Sequence, residues 1–375
     1  MTSIAIIGAG IGGLTLGYLL DEAGYDVTIY EQAHQFARVG AGIQLTPNST
    51  RIFKRLGLEE RIRGIAYEPA IALNKVAETG EVSFELEIGK AIEERYGSPY
   101  LFMHRADLHE ALESKSSKLV QLDKKLVGLE QDETGVTISF ADGTRASADY
   151  LIGADGVHSQ VRELLFGPEE PRFTGRVAYR TTFPASLLGD KQIAEARTKW
   201  WGEDRHIVIY YITANRDEVY FVTSQPEDAD WMTPESWSSK GDVEELRKAF
   251  AHFHPEVRHV LDVCPEVYKW ALLERDALPR WSDRRAVIFG DAAHPMTPYM
   301  AQGAASALED AAVLFRCIEE VGLGADGEAF KVFEKTRKER TTKIQQTSSN
   351  NQWMRTKTDP TWVYGYDAWT VPLAK

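Results

Sequence analysis

The residue pattern with the clearest chemical meaning lies at the start of the chain. Gly8-Ala9-Gly10-Ile11-Gly12-Gly13 satisfies G-x-G-x-x-G between a strand pattern, Ser3 to Ile7, and a helical one, Ile11 to Ala23. In such a turn Gly8 allows the tight bend, Gly10 lets the backbone approach a pyrophosphate, and Gly13 lets helix and strand pack closely. The helix N-terminus offers free N–H groups and partial positive charge to phosphates. A second strand, Asp26 to Tyr30, runs into Glu31, at the spacing of an acid that binds a ribose hydroxyl. These residues predict a dinucleotide site; the bland alternative is a glycine turn without ligand. The motif alone does not separate FAD from NAD.

Two later segments bear on that choice. Leu151-Ile152-Gly153-Ala154-Asp155-Gly156-Val157-His158-Ser159 is followed by Arg162, and Ala286-Val287-Ile288-Phe289-Gly290-Asp291-Ala292-Ala293-His294-Pro295 by Pro298 and Gln302-Gly303. An aspartate after a buried strand can accept from a ribityl or ribose hydroxyl. Gly303 at a helix start can offer N–H to a ring oxygen where negative charge gathers on reduction. Asp291 as a plain helix cap is the competing reading.

With these three segments in this order, the chain resembles the class A FAD-dependent aromatic monooxygenases over essentially its whole length. The resemblance implies FAD held non-covalently, NADH or NADPH as a transient co-substrate, and O2. Glu31 would bind the adenosine ribose and Arg105, in His-Arg-Ala-Asp-Leu, the phosphate and ribityl region. Asp155 would sit where the flavin and pyridine-nucleotide sites cross, Asp291 on the ribityl chain, and Pro298 beside the isoalloxazine. Gly8, Gly10, Gly13 and Gly303 complete the cofactor set. The implied reaction adds O2 at the flavin C4a and hydroxylates the ring with that hydroperoxide. Loss of CO2 follows if the attacked carbon bears a carboxylate.

Within the family the likeness is closest to the 6-hydroxynicotinate 3-monooxygenases and more distant to the salicylate hydroxylases. Lys199-Trp200-Trp201, Glu203-Asp204-Arg205-His206, Pro298 to Ala304 and Trp362 to Asp367 carry it. Three positions depart from the hydroxynicotinate pattern: Gln44 and Tyr299 stand where it has histidine, and Arg197 where it has cysteine. All three resemble substrate contacts.

Electrophilic hydroxylation needs an electron-rich ring, best made by removing a hydroxyl proton, so a base of near-neutral pKa is sought. His206, Val208, Tyr210 and Ile212 share one strand face by the period of two. His206 and Tyr210 lie about 13 Å apart along that strand, so they bracket a ring only by leaning together. They are read as binding or deprotonating the substrate hydroxyl, against a sheet-face pair satisfied by neighbours. Tyr299, beside Pro298, is the third catalytic candidate. Gln44, Arg180, Trp201, His206, Tyr210 and Tyr299 form the expected substrate set. Arg180 and Arg197 are the arginines considered for a carboxylate, and only one of Trp200 and Trp201 can face the pocket. His294 is read as catalyst or as support for the flavin loop, His158 as part of its turn, and His104 is unassigned.

The elements that must position these groups read as an α/β fold. A Rossmann-type FAD-binding domain (1–72, 97–172 and 270–330) is interleaved with a β-sheet-rich substrate domain (73–96 and 173–269). A C-terminal helix and tail (331–375) follows. Helices are expected after Thr46-Pro47, with Thr46 as N-cap and Pro47 at the first helical position, stopped by Gly57, from Arg105 to Leu112, and from about Gly303 to Glu320. Strands are expected at Leu119–Leu122, Lys125–Glu130, Val136–Phe140, followed by Asp142-Gly143 as a hairpin turn, and at Tyr150–Ala154. Val177–Thr182, His206–Thr213 and Val219–Thr223 belong to a mostly antiparallel sheet.

Composition bounds the partners. The 375 residues carry 43 Lys and Arg against 56 Asp and Glu, a net charge of -13, with no basic run interleaved with aromatics. A nucleic-acid surface is not expected, although a local cationic pocket remains compatible with an acidic body. Two isolated cysteines, Cys264 and Cys317, give no metal or disulfide pattern and fit a reducing cytoplasm. No metal, membrane span or signal peptide is expected, and the chain is expected to act as a monomer or homodimer. The rivals are a non-hydroxylating FAD oxidoreductase or halogenase, a non-catalytic protein on the same scaffold, and an NAD-linked dehydrogenase. The Trp-x-Trp-x-Ile-Pro motif of such halogenases does not occur.

Overall fold

The computed structural model describes residues 1–38, 41–228 and 240–375. Apolar runs such as Ser-Ile-Ala-Ile-Ile and Tyr-Leu-Ile-Gly are too hydrophobic for a strand with a wet face, and they become the middle of a sheet covered on both sides. The order in this six-stranded sheet is Ser282–Asp283, Ala286–Ile288, Tyr150–Gly153, Ser3–Ile7, Asp26–Tyr30 and Val120–Gln121. All neighbours are parallel except the Ser282 edge strand. Helices Ile11–Glu22, Arg105–Ser116 and Gly303–Val321 pack against it through one buried core.

The Trp-, Tyr- and Val-rich middle of the chain forms a second, eight-stranded sheet with its own core. Its order is Lys240–Gly241, Val267–Glu274, Arg172–Pro184, Glu218–Pro226, His206–Tyr211, Arg197–Trp201, Ile71–Val76 and Val82–Glu87. All its pairs are antiparallel but Arg197–Trp201 with Ile71–Val76. Sheet membership moves two of the expected domain edges. Ile71–Val76 and Val267–Glu274 are whole strands of this sheet, so divisions after 72 and after 269 would each cut a ladder.

Local differences have local reasons. Leu119 ends a 3-10 turn, leaving only Val120–Gln121 as strand. Asp142-Gly143 turns the hairpin between Val136–Phe140 and Arg145–Ala148 as expected, with Gly143 at φ +82°. Thr46 precedes the helix Pro47–Arg55 with extended backbone, but its hydroxyl does not cap that helix. It donates to Asn48 Oδ1 (2.7 Å) and accepts from Gln302 Nε2 (3.0 Å), inside a buried polar cluster. The C-terminal helix begins at Glu328 rather than 331.

That helix supplies Arg337 and Arg340 to a cluster whose acids, Glu309 and Asp310 on helix Gly303–Val321, fix the end of the Ala286–Ile288 strand. Asp310 Oδ2 accepts from the Gly290 N–H (2.9 Å) and lies 2.6 Å from His294 Nε2. Its Oδ1 accepts from Arg337 Nε (2.6 Å). Arg337 also lies 2.7 Å from Glu309, which takes Arg340 and Asn48 as further partners. All four charged residues are buried or nearly so. His294, read as catalyst or support, is a support: its ring is shut in against Trp281.

Removing one member leaves an uncompensated buried charge. Arg337→Met is expected to cost about 3–5 kcal/mol, read as a fall in the urea midpoint. Burial alone would raise the Asp310 carboxyl, but His294 and Arg337 outweigh it and lower it from 3.8 to about 2. A carboxyl held low in the folded state stabilises above its unfolded pKa and loses that contribution as pH falls toward the folded one. The stability gap between the native chain and Asp310→Asn is therefore expected to be full above about pH 4 and to close toward pH 2. A gap that stays constant over that range would refute the assignment.

Candidate active site

Two cavities hold most of the candidate residues. The larger, about 640 Å³, is lined by Gly8, Ala9, Gly10, Glu31, Arg38, Arg105, His109, Lys124, Asp155 and Gly156 among others. Gly8 has φ +102°, and a Cβ there would stand 2.5 Å from the Ala154 carbonyl oxygen. A Cβ at Gly13 would stand 2.0 Å from the Gly8 carbonyl oxygen. Both glycines are thus required by close backbone approach. Gly10 is different: a Cβ there meets nothing within 4 Å, because the backbone borders open cavity.

Glu31 closes the loop. Its Oε2 accepts from the Ala9 N–H and its Oε1 from the Ala33 N–H, both at 2.9 Å. Each oxygen keeps a lone pair for a ligand hydroxyl. Arg105 opens the helix Arg105–Ser116 and reaches into a recess where burial lowers its pKa and Asp291 offsets part of that. His104, unassigned from sequence, caps this helix by accepting from the Ala106 N–H, and burial holds it neutral at about 4. His109, one helical turn after Arg105, holds the Ala9 carbonyl (2.7 Å) and was not singled out from sequence. Its i, i+4 spacing from Arg105 was the available signal.

Asp155 lines the same cavity but is committed to its own turn. It accepts from Ser159 Oγ (2.5 Å) and the Val161 N–H (3.0 Å), which oppose the upward push of burial on its pKa. Asp291 sits in the turn Gly290–Ala292, and a side chain at Gly303 would come 3.8 Å from its Oδ1. Asp291 and the first turn of helix Gly303–Val321 therefore meet at one place. An acid, a glycine cradle, a cation and a helix start are chemically the donor set that an FAD needs.

The smaller cavity, about 60 Å³, lies over the turn Pro298–Met300 and the strands Arg197–Trp201 and His206–Tyr211. Its walls include Gln44, Arg197, Lys199, His206, Pro298 and Tyr299. The space is smaller than the roughly 150 Å³ that admits benzene, so the lining must yield to a ring; Met300 and Met354 are the adaptable members. Tyr100 reaches in to donate to Gln44 Oε1 (2.7 Å), and Tyr364 brings the C-terminal tail into the wall.

His206 is buried, and burial first, then Lys199, Arg176 and Arg355, push its pKa well below 6.5. It presents a neutral imidazole edge-on to Tyr299, ring centroids 5.5 Å apart; its lowered pKa departs from the near-neutral base expected, because the site is buried and cationic. The Tyr299 hydroxyl pairs with Ser224 Oγ at 2.9 Å.

Three of the expected substrate residues lie elsewhere. Tyr210 does not line this cavity: it is packed against Phe102 and Tyr220 and reaches it only through Gln44. The 13 Å strand spacing explains why His206 and Tyr210 do not converge. Arg180 is in the lining of neither cavity: its guanidinium lies 3.6 Å over the Trp270 ring, on the strand position paired with the wall residue Val222. Trp201 stands behind the wall, donating to Asn74 Oδ1 (2.9 Å) with its ring 3.8 Å from Lys199 Nζ. Trp200 is core, stacked on His254.

A family model described as an FAD binding domain matches residues 1–348. The chain belongs to the FAD-dependent aromatic monooxygenases. It is 43% identical to a 6-hydroxynicotinate 3-monooxygenase of Bordetella bronchiseptica, across 99% of this chain and 97% of that one. A 3-amino-4-hydroxybenzoate 2-monooxygenase of Streptomyces cremeus is 36% identical over 97% and 95%. Among solved structures, Klebsiella pneumoniae HpxO in complex with FAD and uric acid is 25% identical with a TM-score of 0.82, covering 96% and 90%. The family, fold class and FAD expected from the sequence all hold.

No helix among the described residues is long and apolar enough to cross a membrane. Glu31→Ala is expected to lower FAD retention about tenfold or more, through the two lost backbone contacts and the lost ribose acceptor. The ratio of flavin to protein absorbance after gel filtration reads this. Full retention would remove Glu31 from the cofactor site.

Proposed function

We propose that this monooxygenase hydroxylates a small ring carrying both a carboxylate and a hydroxyl, a benzoate or a pyridine carboxylate. The observation that carries this is the smaller cavity: Arg197, Lys199 and a neutral His206 in its wall, with no acidic side chain among its lining residues. Such a wall attracts an anion and offers a base to a second, ionisable oxygen. The relatives named above act on 6-hydroxynicotinate and 3-amino-4-hydroxybenzoate, rings of this description.

In this reading Glu31, Arg105, Asp155, Asp291, Pro298 and the glycines Gly8, Gly10, Gly13 and Gly303 hold FAD. When bound and reduced by NADH or NADPH, FAD supplies the electrons by which O2 delivers one oxygen to the ring and leaves the other as water. The protein's part is positional and electrostatic. His206 accepts the substrate's hydroxyl proton, raising electron density on the ring. Tyr299 and Gln44 hold ring substituents, and Tyr210 steadies Gln44. If the attacked carbon bears the carboxylate, CO2 is released. The buried free thiols, Cys264 and Cys317, support action in a reducing cytoplasm, as a monomer or homodimer on small molecules rather than nucleic acid.

The test is to follow NADH and NADPH oxidation with hydroxybenzoates, aminohydroxybenzoates and hydroxypyridine carboxylates, with mass analysis of products. The expected outcome is stimulated oxidation and a product bearing one new oxygen. Oxidation without an oxygenated product from any acid would favour a non-hydroxylating FAD oxidoreductase. His206→Ala is expected to lower kcat/KM about 100-fold, within the range for a general base, with flavin content unchanged. Unaltered turnover would strip His206 of this role.

A further inference from the structure

Buried cations in this protein are held in different ways: some face acids, Arg162 and Arg285 bond backbone carbonyls, and Arg180 lies over the Trp270 ring. Arg337 and Arg340 face Glu309, Lys269 lies 2.6 Å from Glu227, and Arg275 lies 3.5 Å from Glu169. Arg197 is only 7% exposed, yet its Nε and Nη1 have no hydrogen-bond partner. No carboxylate among the described residues pairs with it or with Lys199. Lys199, 6% exposed, has the Trp201 ring as its near neighbour, 3.8 Å away; burial first, then Arg197 and Arg355, push its pKa well below 10.5, a push that an anion in the cavity opposes. A guanidinium left in this state is costly unless an anion completes it. Both side chains line the smaller cavity, two residues apart on one strand face.

The two cations have different company. Arg197 acts electrostatically on the hydroxyls of Tyr100, Tyr210 and Tyr364, at one end of the cavity. Lys199 acts on His206, which faces Tyr299 at the other. A carboxylate, already ionised at neutral pH, suits the planar fork of Arg197, which binds two oxygens at once. A hydroxyl that must lose its proton suits the end holding neutral His206, where Lys199 stabilises the resulting oxyanion. Two strand positions separate these ends by about 6.6 Å, matching a six-membered ring with groups at opposite corners.

We propose that Arg197 is the carboxylate-recognition residue of this enzyme. With Lys199 it selects ring acids whose hydroxyl lies across the ring from the carboxylate. This rests on the substrate class proposed above and, of the two arginines considered for a carboxylate, Arg180 and Arg197, chooses Arg197.

The experiment is calorimetric binding to FAD-loaded protein without NADH, so that no turnover is needed. The probes are 4-hydroxybenzoate, 4-hydroxybenzamide, 3-hydroxybenzoate, 6-hydroxynicotinate and its amide, with native, Arg197→Gln and Arg197→Lys proteins. The native protein is expected to prefer each para acid over its amide by about 30-fold or more, the scale of a buried charge pair. It is expected to prefer 4- over 3-hydroxybenzoate about tenfold, the scale of a buried polar group left unpaired. Arg197→Gln should lose the acid preference while binding the amides as before, and Arg197→Lys should keep part of it. Native-like acid preference in Arg197→Gln, equal native affinity for acid and amide, or no native binding of any acid overturns the proposal. Equal affinity for 4- and 3-hydroxybenzoate overturns the spacing argument. If Arg197→Gln does not retain FAD, the native acid–amide ratio and Arg197→Lys decide. Intact acid preference with no oxygenated product would instead defeat the proposed reaction and leave Arg197 in place.

Discussion

Everything about the cofactor side of this molecule depends on one buried carboxylate. Asp310 holds the Gly290 N–H, His294 and Arg337 at once, and so ties a strand end, a loop and two long helices to one point. Glu309 extends the connection to Arg340 and Asn48, and Asn48 donates to Gln302, the residue before Gly303. The turn carrying Asp291 and the helix start carrying Gly303 are thereby fixed by the same ionic cluster. In a low-dielectric interior such a cluster is stable only when nearly every member is matched. Its rigidity is what a redox site needs, since donors must already point where charge will develop.

The substrate side is governed by the opposite arrangement. The whole chain carries a net charge of -13, yet the cavity over Pro298 is walled by cations without acids. Long-range repulsion of an anion is weak across solvent at physiological salt, where screening acts within about 8 Å. Inside the cavity, short distances and poor screening decide the matter. Burial first, and then the same cationic field, push the pKa of His206 well below 6.5.

The fold was legible in the sequence wherever periodicity and glycine chemistry were strong. The Gly8–Gly13 turn, Glu31, the two later aspartate segments and the long helix from Gly303 rest on local rules, and each stands where those rules put it. The substrate cavity was less legible, because its wall is made by strand neighbours remote in sequence. Strand phase put His206 and Tyr210 on one face, but a face longer than a substrate cannot bring both to it. Arg180 and Arg197 look alike as letters; only the sheet puts one on Trp270 and the other into the cavity. Thr46 read as a helix cap because local rules see the helix and not the Asn48–Gln302 cluster beneath it.

The cofactor sheet also has a history in time. Its central strand, Ser3–Ile7, pairs with Asp26–Tyr30 and with Tyr150–Gly153, and the latter pairs with Ala286–Ile288. As the chain leaves the ribosome, the glycine turn lacks its far wall until the strand Ala286–Ile288 has emerged. Asp310 and Arg337, which lock that wall, emerge later still. Completion of the cofactor sheet is therefore a late event in synthesis. Nascent chains must pass through a long interval with parallel strand edges unpaired, the circumstance in which slow, non-local sheets are most exposed to aggregation.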